Sequence, residues 1–342
     1  MVIGGGPAGA VCALALARGG ASVTLVHWDG YAPGGVEFVS GHAREILERD
    51  CSGLFQRLSG VEIHETVSLW GTAEPVTLNA MFNPWGAGVA LERSLLDESL
   101  RDLARAAGTF LAADTKVTRA RRSDGSWQLL LRSEETGTSL LNARFLVIAT
   151  GRAAASLVER PPVAESSQIA LMMPLPPQND KNRGLGHTLY IEAADNGWWY
   201  ALPAADGGYF AGFCTDRNEV KKRHATLREF LILELRHTHL LAPLLPGVTC
   251  NSRITGRTAG ARAFAGAAGD GWIAVGDAAY APDPLSGLGI EAALESARLG
   301  ADALLEIMKG RSASARFAEY EDAARGYAER HGQLADYHYG RL

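Results

Sequence analysis

Lysine is nearly missing from this chain. Of 33 basic side chains only Lys116, Lys181, Lys221, Lys222 and Lys309 are lysines, and residues 1–115 contain none. Chemistry that needs a lysine early in the chain is therefore disfavoured. Cysteine is also sparse: Cys12, Cys51, Cys214 and Cys250 stand far apart with no CxxC pair. That spacing argues against a disulfide scaffold and a zinc site, and no metal is expected. Basic charge is outweighed, 33 groups against 38 acidic ones for a net charge of -5, so no nucleic-acid partner is expected. No run approaches the ~20 apolar residues of a membrane span. No signal peptide is visible, because Met1–Ile3 leads directly into glycines. The expectation is a cytoplasmic protein with no membrane span. Only three residues precede Gly4, fewer than the ~5 of an ordinary strand, so a few residues ahead of Met1 and an incomplete C-terminal region are also expected.

What remains is rich in small and apolar residues. The 342 residues are 47% apolar and include 39 glycines. At ~150 residues per domain this suffices for about two cores. The opening reads β-α-β: Met1–Ile3 ends a strand, Gly4–Gly9 is a glycine turn, Pro7–Arg18 is a small-residue helix, and Ala21–Val26 is a second strand. Helices are predicted at 41–50 and 94–107, the latter from the spacing of positions 95, 96, 100, 103 and 104. A hairpin is predicted around Asp124-Gly125. Phe145–Thr150 and Trp272–Val275 read as buried parallel strands. Residues 168–216 read as antiparallel strands, with helices at about 224–239, 287–308 and 314–338. Strand-rich insertions interrupt the first unit. The expected domains are therefore discontinuous: 1–66, 93–165 and 255–308 in one, 67–92 and 166–254 in a substrate-binding sheet domain, and 309–342 as a C-terminal helical segment.

Two turns carry chemistry. In the first, Gly4-x-Gly6-Pro7-Ala8-Gly9, glycines permit a tight turn and close backbone approach to a pyrophosphate. The following helix offers N–H groups and a positive dipole end. Its strand-turn-helix context raises the pattern above a chance glycine cluster. An acid is expected after the second strand to bind a ribose. His27 occupies that place, and either it binds the ribose or adenine edge, or Asp29 reaches back, or His27 is only a strand-end residue. In the second turn an apolar strand delivers Gly276-Asp277, and Asp283-Pro284-Leu285-Ser286-Gly287-Leu288-Gly289 then opens a long helix. An Asp after a strand suits a chain of hydroxyls, and a helix N-terminus suits an electron-rich ring.

These residues, GGGPAG near the start and GDAAYAPDPLSGLGI near 280, resemble the flavoproteins of the p-hydroxybenzoate hydroxylase fold. FLVIATGR at 145–152 and LERSLLDESL at 91–100 resemble further segments of that superfamily. It includes aromatic hydroxylases, flavin-dependent halogenases and geranylgeranyl reductases. The resemblance implies an α/β fold: an FAD-binding Rossmann-like domain of glutathione-reductase type with an interleaved antiparallel-sheet substrate domain. It implies that Gly4, Gly6, Pro7, Ala8 and Gly9 meet the pyrophosphate and that Arg93 lies against the flavin end. Gly276 and Asp277 would hold the ribityl-pyrophosphate region, and Pro284, Gly287, Leu288 and Gly289 would face the isoalloxazine. Closer similarity is to halogenase-like monooxygenases that modify protein tryptophan, through Asn83-Pro84-Trp85-Gly86, NGWWYALP at 196–203 and FAGFCTD at 210–216. One branch matures a tryptophylquinone cofactor in quinohaemoprotein amine dehydrogenase.

The resemblance implies hydroxylation of an electron-rich aromatic ring through a C4a-hydroperoxyflavin, with O2 as co-substrate. NAD(P)H or a separate flavin reductase, as a partner protein, would supply electrons. The substrate is expected to be an aromatic compound, with a protein or peptide tryptophan among the candidates. Trp198, Trp199, Tyr200, Tyr209 and Phe210 are candidate substrate contacts, and equally candidate core residues. Asp283 and His187 are candidate proton handlers. Four alternatives stay open: an isoprenoid reductase, a small-molecule aromatic hydroxylase, a halogenase, and a flavin-binding chaperone without turnover.

Overall fold

The computed structural model describes residues 1–28, 34–152, 157–158, 160–175, 186–222, 226–244 and 253–341. Asp29, Lys181 and Cys250 lie outside them. The chain forms two compact units, one of residues 1–33, 96–165 and 261–334, the other of 34–95, 166–260 and 335–342.

The first unit is built on a six-stranded sheet ordered Ala268–Gly269, Trp272–Ala274, Leu146–Ile148, Val2–Ile3, Thr24–Val26, Phe110–Ala112. Every pairing is parallel except that of the first two strands. Val2, Leu25, Leu146, Ile148 and Ile273 are fully buried, as parallel strands covered on both faces must be, which explains their unbroken apolar runs. The helix Pro7–Arg18 starts with Pro at its first turn and ends at Gly19. Its alanines let it lie close to the helix Gly289–Met308. A Cβ on Gly19 would sit 2.5 Å from the Leu305 methyls. Leu96, Leu100 and Ala104 are the buried stripe of the helix Arg93–Ala106, whereas Leu95, counted in the same stripe from the sequence, is exposed. The hairpin Thr115–Ser123/Ser126–Ser133 turns through Asp124 (φ 51°) and Gly125 (φ 76°), the two positive φ values that a two-residue hairpin requires.

Tyr320, on the helix Ala313–Tyr339, is buried and donates to the Ala274 carbonyl at 2.5 Å. Glu321 accepts the Ala267 and Ala268 N–H groups. These bonds explain why residues 309–334 cluster with the six-stranded sheet of the first unit.

The second unit carries a seven-stranded sheet ordered Thr255–Thr258, Gln168–Leu175, Tyr209–Asp216, Gly197–Pro203, Thr188–Ala194, Glu65–Leu69, Val76–Asn79. It is antiparallel except between Thr188–Ala194 and Glu65–Leu69, whose strands come from distant segments that no hairpin joins. A three-stranded sheet, Val36–Val39, Gly88–Glu92, Gly60–Ile63, belongs to the same unit. This pairing draws residues 34–66 to the second unit rather than the first, where the sequence placed them. The seven-stranded sheet is covered on one face by the helix Leu227–Arg236, through Phe230, Leu231 and Leu235. On its other face Val36, Ile63 and Ala90 of the smaller sheet pack against Leu189, Leu202 and Phe210.

Candidate cofactor and substrate sites

The glycine turn of the first unit is held by backbone. Gly4 donates to the Val26 carbonyl at 2.8 Å and has φ +113°. A Cβ there would lie 2.1 Å from the Ala149 carbonyl oxygen, and one on Gly9 would lie 1.9 Å from that of Gly4. The protein's own packing thus demands both glycines. Gly6 caps the helix Pro7–Arg18 without a side-chain hydrogen bond, and the first turn holds no acid, so the N-terminus keeps its capacity for an anion. His27 is buried, its N–H donating to Ala112 and its carbonyl accepting from Thr115. Its Cβ lies so near Gly5 that a side chain there would meet it at 2.6 Å. Arg101 donates to the Gly5 carbonyl at 3.3 Å, a tie that the sequence did not suggest.

The second turn belongs to the same unit. Gly276 takes φ +63° and donates to Ser296 Oγ at 2.8 Å. Asp277 meets Arg152 Nε at 3.3 Å. Arg152 reaches the Pro282 carbonyl, and its own carbonyl accepts from Arg262 at 2.6 Å. Asp283 is buried and caps the short turn Pro284–Ser286, accepting the Leu285 N–H at 2.9 Å, so its position is explained by capping. Gly287 ends that turn at φ +63°, Leu288 caps the helix Gly289–Met308 with no side-chain bond, and Gly289 opens it. Among the described residues nothing outside the helix's own neighbouring backbone lies within 4 Å of where a Cβ on Gly289 would be.

Arg160 is the strongest feature that the sequence reading missed. It is buried, donates to the Gly266 carbonyl through Nε at 2.8 Å and to Ala278 through Nη1 at 2.7 Å, and stacks on Phe264 and Trp272. Burial pushes its guanidinium down to about 10, which leaves it cationic at neutral pH. It therefore pins the turn that carries Asp277. Nothing in the sequence around 160 announces this, because its partners are carbonyls more than a hundred positions away.

These turns suit a dinucleotide. Two helix N-termini lack side-chain caps, and Thr150 Oγ1, next to the Ala149 carbonyl under Gly4, is buried without a hydrogen-bond partner among the described residues. Gly289 is a glycine that no described residue outside its own helix requires. With Asp277 held by Arg152, these residues fit FAD, whose pyrophosphate would be held at Gly4–Gly9 and whose hydroxyls would be held at Asp277. Asp277→Ala should weaken FAD retention about tenfold or more, the loss of a charge-assisted hydrogen bond. Titrating FAD into the apoprotein measures it.

In the second unit the five aromatic candidates divide between two faces of the sheet. Trp199 and Tyr209 lie on the helix-covered face with Phe213 and Phe230. Tyr200 and Phe210 lie on the other, Tyr200 packing against its core, and Trp198 is on Tyr200's face by strand alternation. They do not line one surface. Phe210 rests over Gly35 and Tyr200 over Gly212, where a Cβ would meet either ring at 2.3 Å. Trp198 donates to Tyr339 Oη at 3.1 Å and Trp70 to the His338 carbonyl at 2.8 Å. Arg93 pairs with Glu37 at 3.0 Å. His187 is exposed, with Nδ1 2.8 Å from the Glu62 carbonyl, a strand-edge tie.

Burial holds the Tyr200 phenol well above its ordinary value of 10.0. The folded protein keeps this proton above pH 10 while the unfolded chain releases it, so stability falls as pH rises past 10. Tyr200→Phe should lose less stability over that window, as urea midpoints against pH will show.

A family model for FAD dependent oxidoreductases matches residues 40–303, and one described as glucose inhibited division protein A matches 1–72. LodB of Marinomonas mediterranea, named as a FAD-dependent oxidoreductase, is 26% identical over 339 residues, 97% of this chain and 90% of LodB. The flavin-dependent halogenase CmlS superposes with a TM-score of 0.86 at 25% identity, over 97% of this chain and 62% of CmlS. The peptidyl tryptophan dihydroxylase QhpG shares the fold with a TM-score of 0.81 at 24% identity, over 99% of this chain and 74% of QhpG. No helix among the described residues is long and apolar enough to cross a membrane. The glycine turns, the parallel sheet between them and the match over most of the chain place this protein in the FAD dependent oxidoreductase family.

Proposed function

We propose that this protein is an FAD-dependent monooxygenase that hydroxylates an electron-rich aromatic ring, the side chain of a tryptophan in a polypeptide being the favoured target. The observation that carries the reading is the pair of glycine turns in the first unit, whose two helix N-termini lack side-chain caps, in a chain that a FAD dependent oxidoreductase model matches over residues 40–303. The shared fold with QhpG, a protein named for tryptophan dihydroxylation and tryptophylquinone biogenesis, is in keeping with it.

Bound FAD supplies the redox chemistry, accepting electrons and activating O2. The balance is one O2, two electrons and two protons, giving one hydroxyl on the ring and one water. NAD(P)H or a separate flavin reductase supplies the electrons. The chain's residues bind, orient and dry the site. Gly4 and Gly9 let backbone approach the pyrophosphate, and the N-terminus of Pro7–Arg18 stabilises its charge. Asp277, held by Arg152, accepts hydroxyl hydrogens. The N-terminus of Gly289–Met308 favours negative charge beside it.

Halogenation fits less well. It requires a lysine in a dry site, and among the described residues every lysine, Lys116, Lys221, Lys222 and Lys309, is exposed. The test is incubation of reduced holoenzyme with O2 and tryptophan-containing peptides. A mass gain of one oxygen on the indole is expected. Reoxidation that yields only hydrogen peroxide with every aromatic offered would overturn the reading, and anaerobic reduction of a prenyl chain would replace it with the isoprenoid reductase.

A further inference from the structure

Three side chains of the second unit hold the last turn of the helix Ala313–Tyr339, whose residues from 335 on belong to that unit. Trp198 Nε1 donates to Tyr339 Oη at 3.1 Å, Gln168 Nε2 donates to the same oxygen at 3.0 Å, and Trp70 Nε1 donates to the His338 carbonyl at 2.8 Å. Ala170 and Trp198 both pair with Cys214, so they share a sheet face, and Gln168 joins them by strand alternation. The Tyr339 ring stands edge-on to Trp70 with centroids 6.0 Å apart, and Trp70 stands edge-on to Trp198 at 6.1 Å. Tyr200 continues the row, 6.0 Å beyond Trp198.

These are the parts of a small-molecule site: aromatic surfaces for a ring, and two convergent N–H groups that fix its oxygen. The occupant is the chain's own phenol. It leaves one group unserved, because Gln168 Oε1 is buried with no hydrogen-bond partner among the described residues. A primary amide presents an acceptor beside its donors. A ring with a second hydroxyl next to the first serves both, one oxygen accepting from Nε2 and its neighbour donating to Oε1. The turn that carries Tyr339 is lightly held elsewhere. Of residues 335–339 only Ala335 is buried, and Asp336 and Tyr337 are exposed. A helix end held in this way opens at far lower cost than a core strand.

We propose that Trp70, Trp198 and Gln168 form a binding site for a hydroxylated aromatic ring, held shut in this structure by the Tyr339 phenol, so that the last helical turn is a tethered competitor of the ligand. The inference stands on these contacts and goes beyond the monooxygenase reading.

The test uses the oxidised, FAD-loaded full chain, with p-cresol, 4-methylcatechol and toluene as probes in calorimetric titration. Tyr339→Ala removes the competitor. It should bind p-cresol about tenfold or more tightly than the wild type does, 4-methylcatechol more tightly still, and toluene about tenfold more weakly than p-cresol. Adding Gln168→Leu should abolish the preference for hydroxyls, which locates the binding. Tyr339→Phe keeps the ring and removes the oxygen. It should melt as a folded protein, show greater acrylamide quenching of indole fluorescence than the wild type, and bind p-cresol with intermediate affinity. Equal p-cresol affinity in the wild type and both Tyr339 variants overturns the proposal. Toluene binding that equals p-cresol binding in Tyr339→Ala also overturns it, since the vacated space is then a plain cavity. If Tyr339→Ala does not fold and Tyr339→Phe binds p-cresol as the wild type does, Tyr339 is only structural and the proposal fails. Binding is read without turnover, so the fate of the monooxygenase reading does not decide it.

Discussion

Gly9→Ala is expected to yield a protein that purifies without FAD and melts at a lower temperature. The added Cβ would stand 1.9 Å from the Gly4 carbonyl oxygen and 3.0 Å from the Ala149 Cβ. Neither contact is the free end of a flexible side chain, so the turn must open. Gly4 is itself wedged against the Ala149 carbonyl, which transmits the displacement to the strand Leu146–Ile148. Overpacking of this kind costs about 1–3 kcal/mol, and the pyrophosphate loses its close backbone approach. The flavin-to-protein absorbance ratio and the melting curve measure both effects. Gly289→Ala is the matched comparison. Among the described residues nothing outside the helix's own neighbouring backbone lies within 4 Å of its Cβ position, so the apoprotein should melt as the wild type does while FAD affinity falls. If Gly289→Ala retains FAD fully, the space at that helix start is not the cofactor's.

Arg160→Met should produce the largest loss of stability from a single side chain outside the glycine turns. Methionine fills part of the volume between Phe264 and Trp272 but leaves the Gly266 and Ala278 carbonyls without their charged donor. Hydrogen bonds from charged groups contribute about 1.5–3 kcal/mol each, and orphaned buried acceptors add to the cost. A loss of about 3 kcal/mol corresponds to a fall of about 6–12 °C in Tm. Because Ala278 follows Asp277, FAD affinity should fall with it. Arg160→Lys should recover little, since one ammonium cannot reproduce the fork that serves two carbonyls and two rings. A melting temperature within a degree of wild type in both variants would show that Arg160 is dispensable.

The cofactor half of this protein is readable from its sequence because its signals are local. Glycine at 4, 6 and 9, Pro7 after them and unbroken apolar strands each state a backbone requirement within a few residues. The helix 41–50 is equally local: Ser40 accepts the Ala43 N–H at its start. The I′ turn at Asp124-Gly125 is another such case. The membership of residues 34–66 was not readable, because it depends on strands pairing with 88–92, and pairing partners leave no mark in a single sequence.

The same limit explains the aromatic group. Trp198, Trp199, Tyr200, Tyr209 and Phe210 are consecutive or adjacent, and strand periodicity alone sends neighbours to opposite faces. Which face receives the helix Leu227–Arg236 and which continues to an exposed edge is decided only by tertiary packing. Arg160 and the Arg152–Asp277 pair follow the same rule, since each joins residues more than a hundred positions apart through a fold that the sequence implies but does not draw. What the sequence determined by itself was the backbone geometry of both glycine turns and the near absence of lysine. The tertiary structure decided where the described lysines stand, which sheet face each aromatic residue takes, and that Val76–Asn79 ends its sheet. The physical reason is that backbone conformation is set within a few residues, whereas burial and pairing are set by whatever the rest of the chain brings alongside.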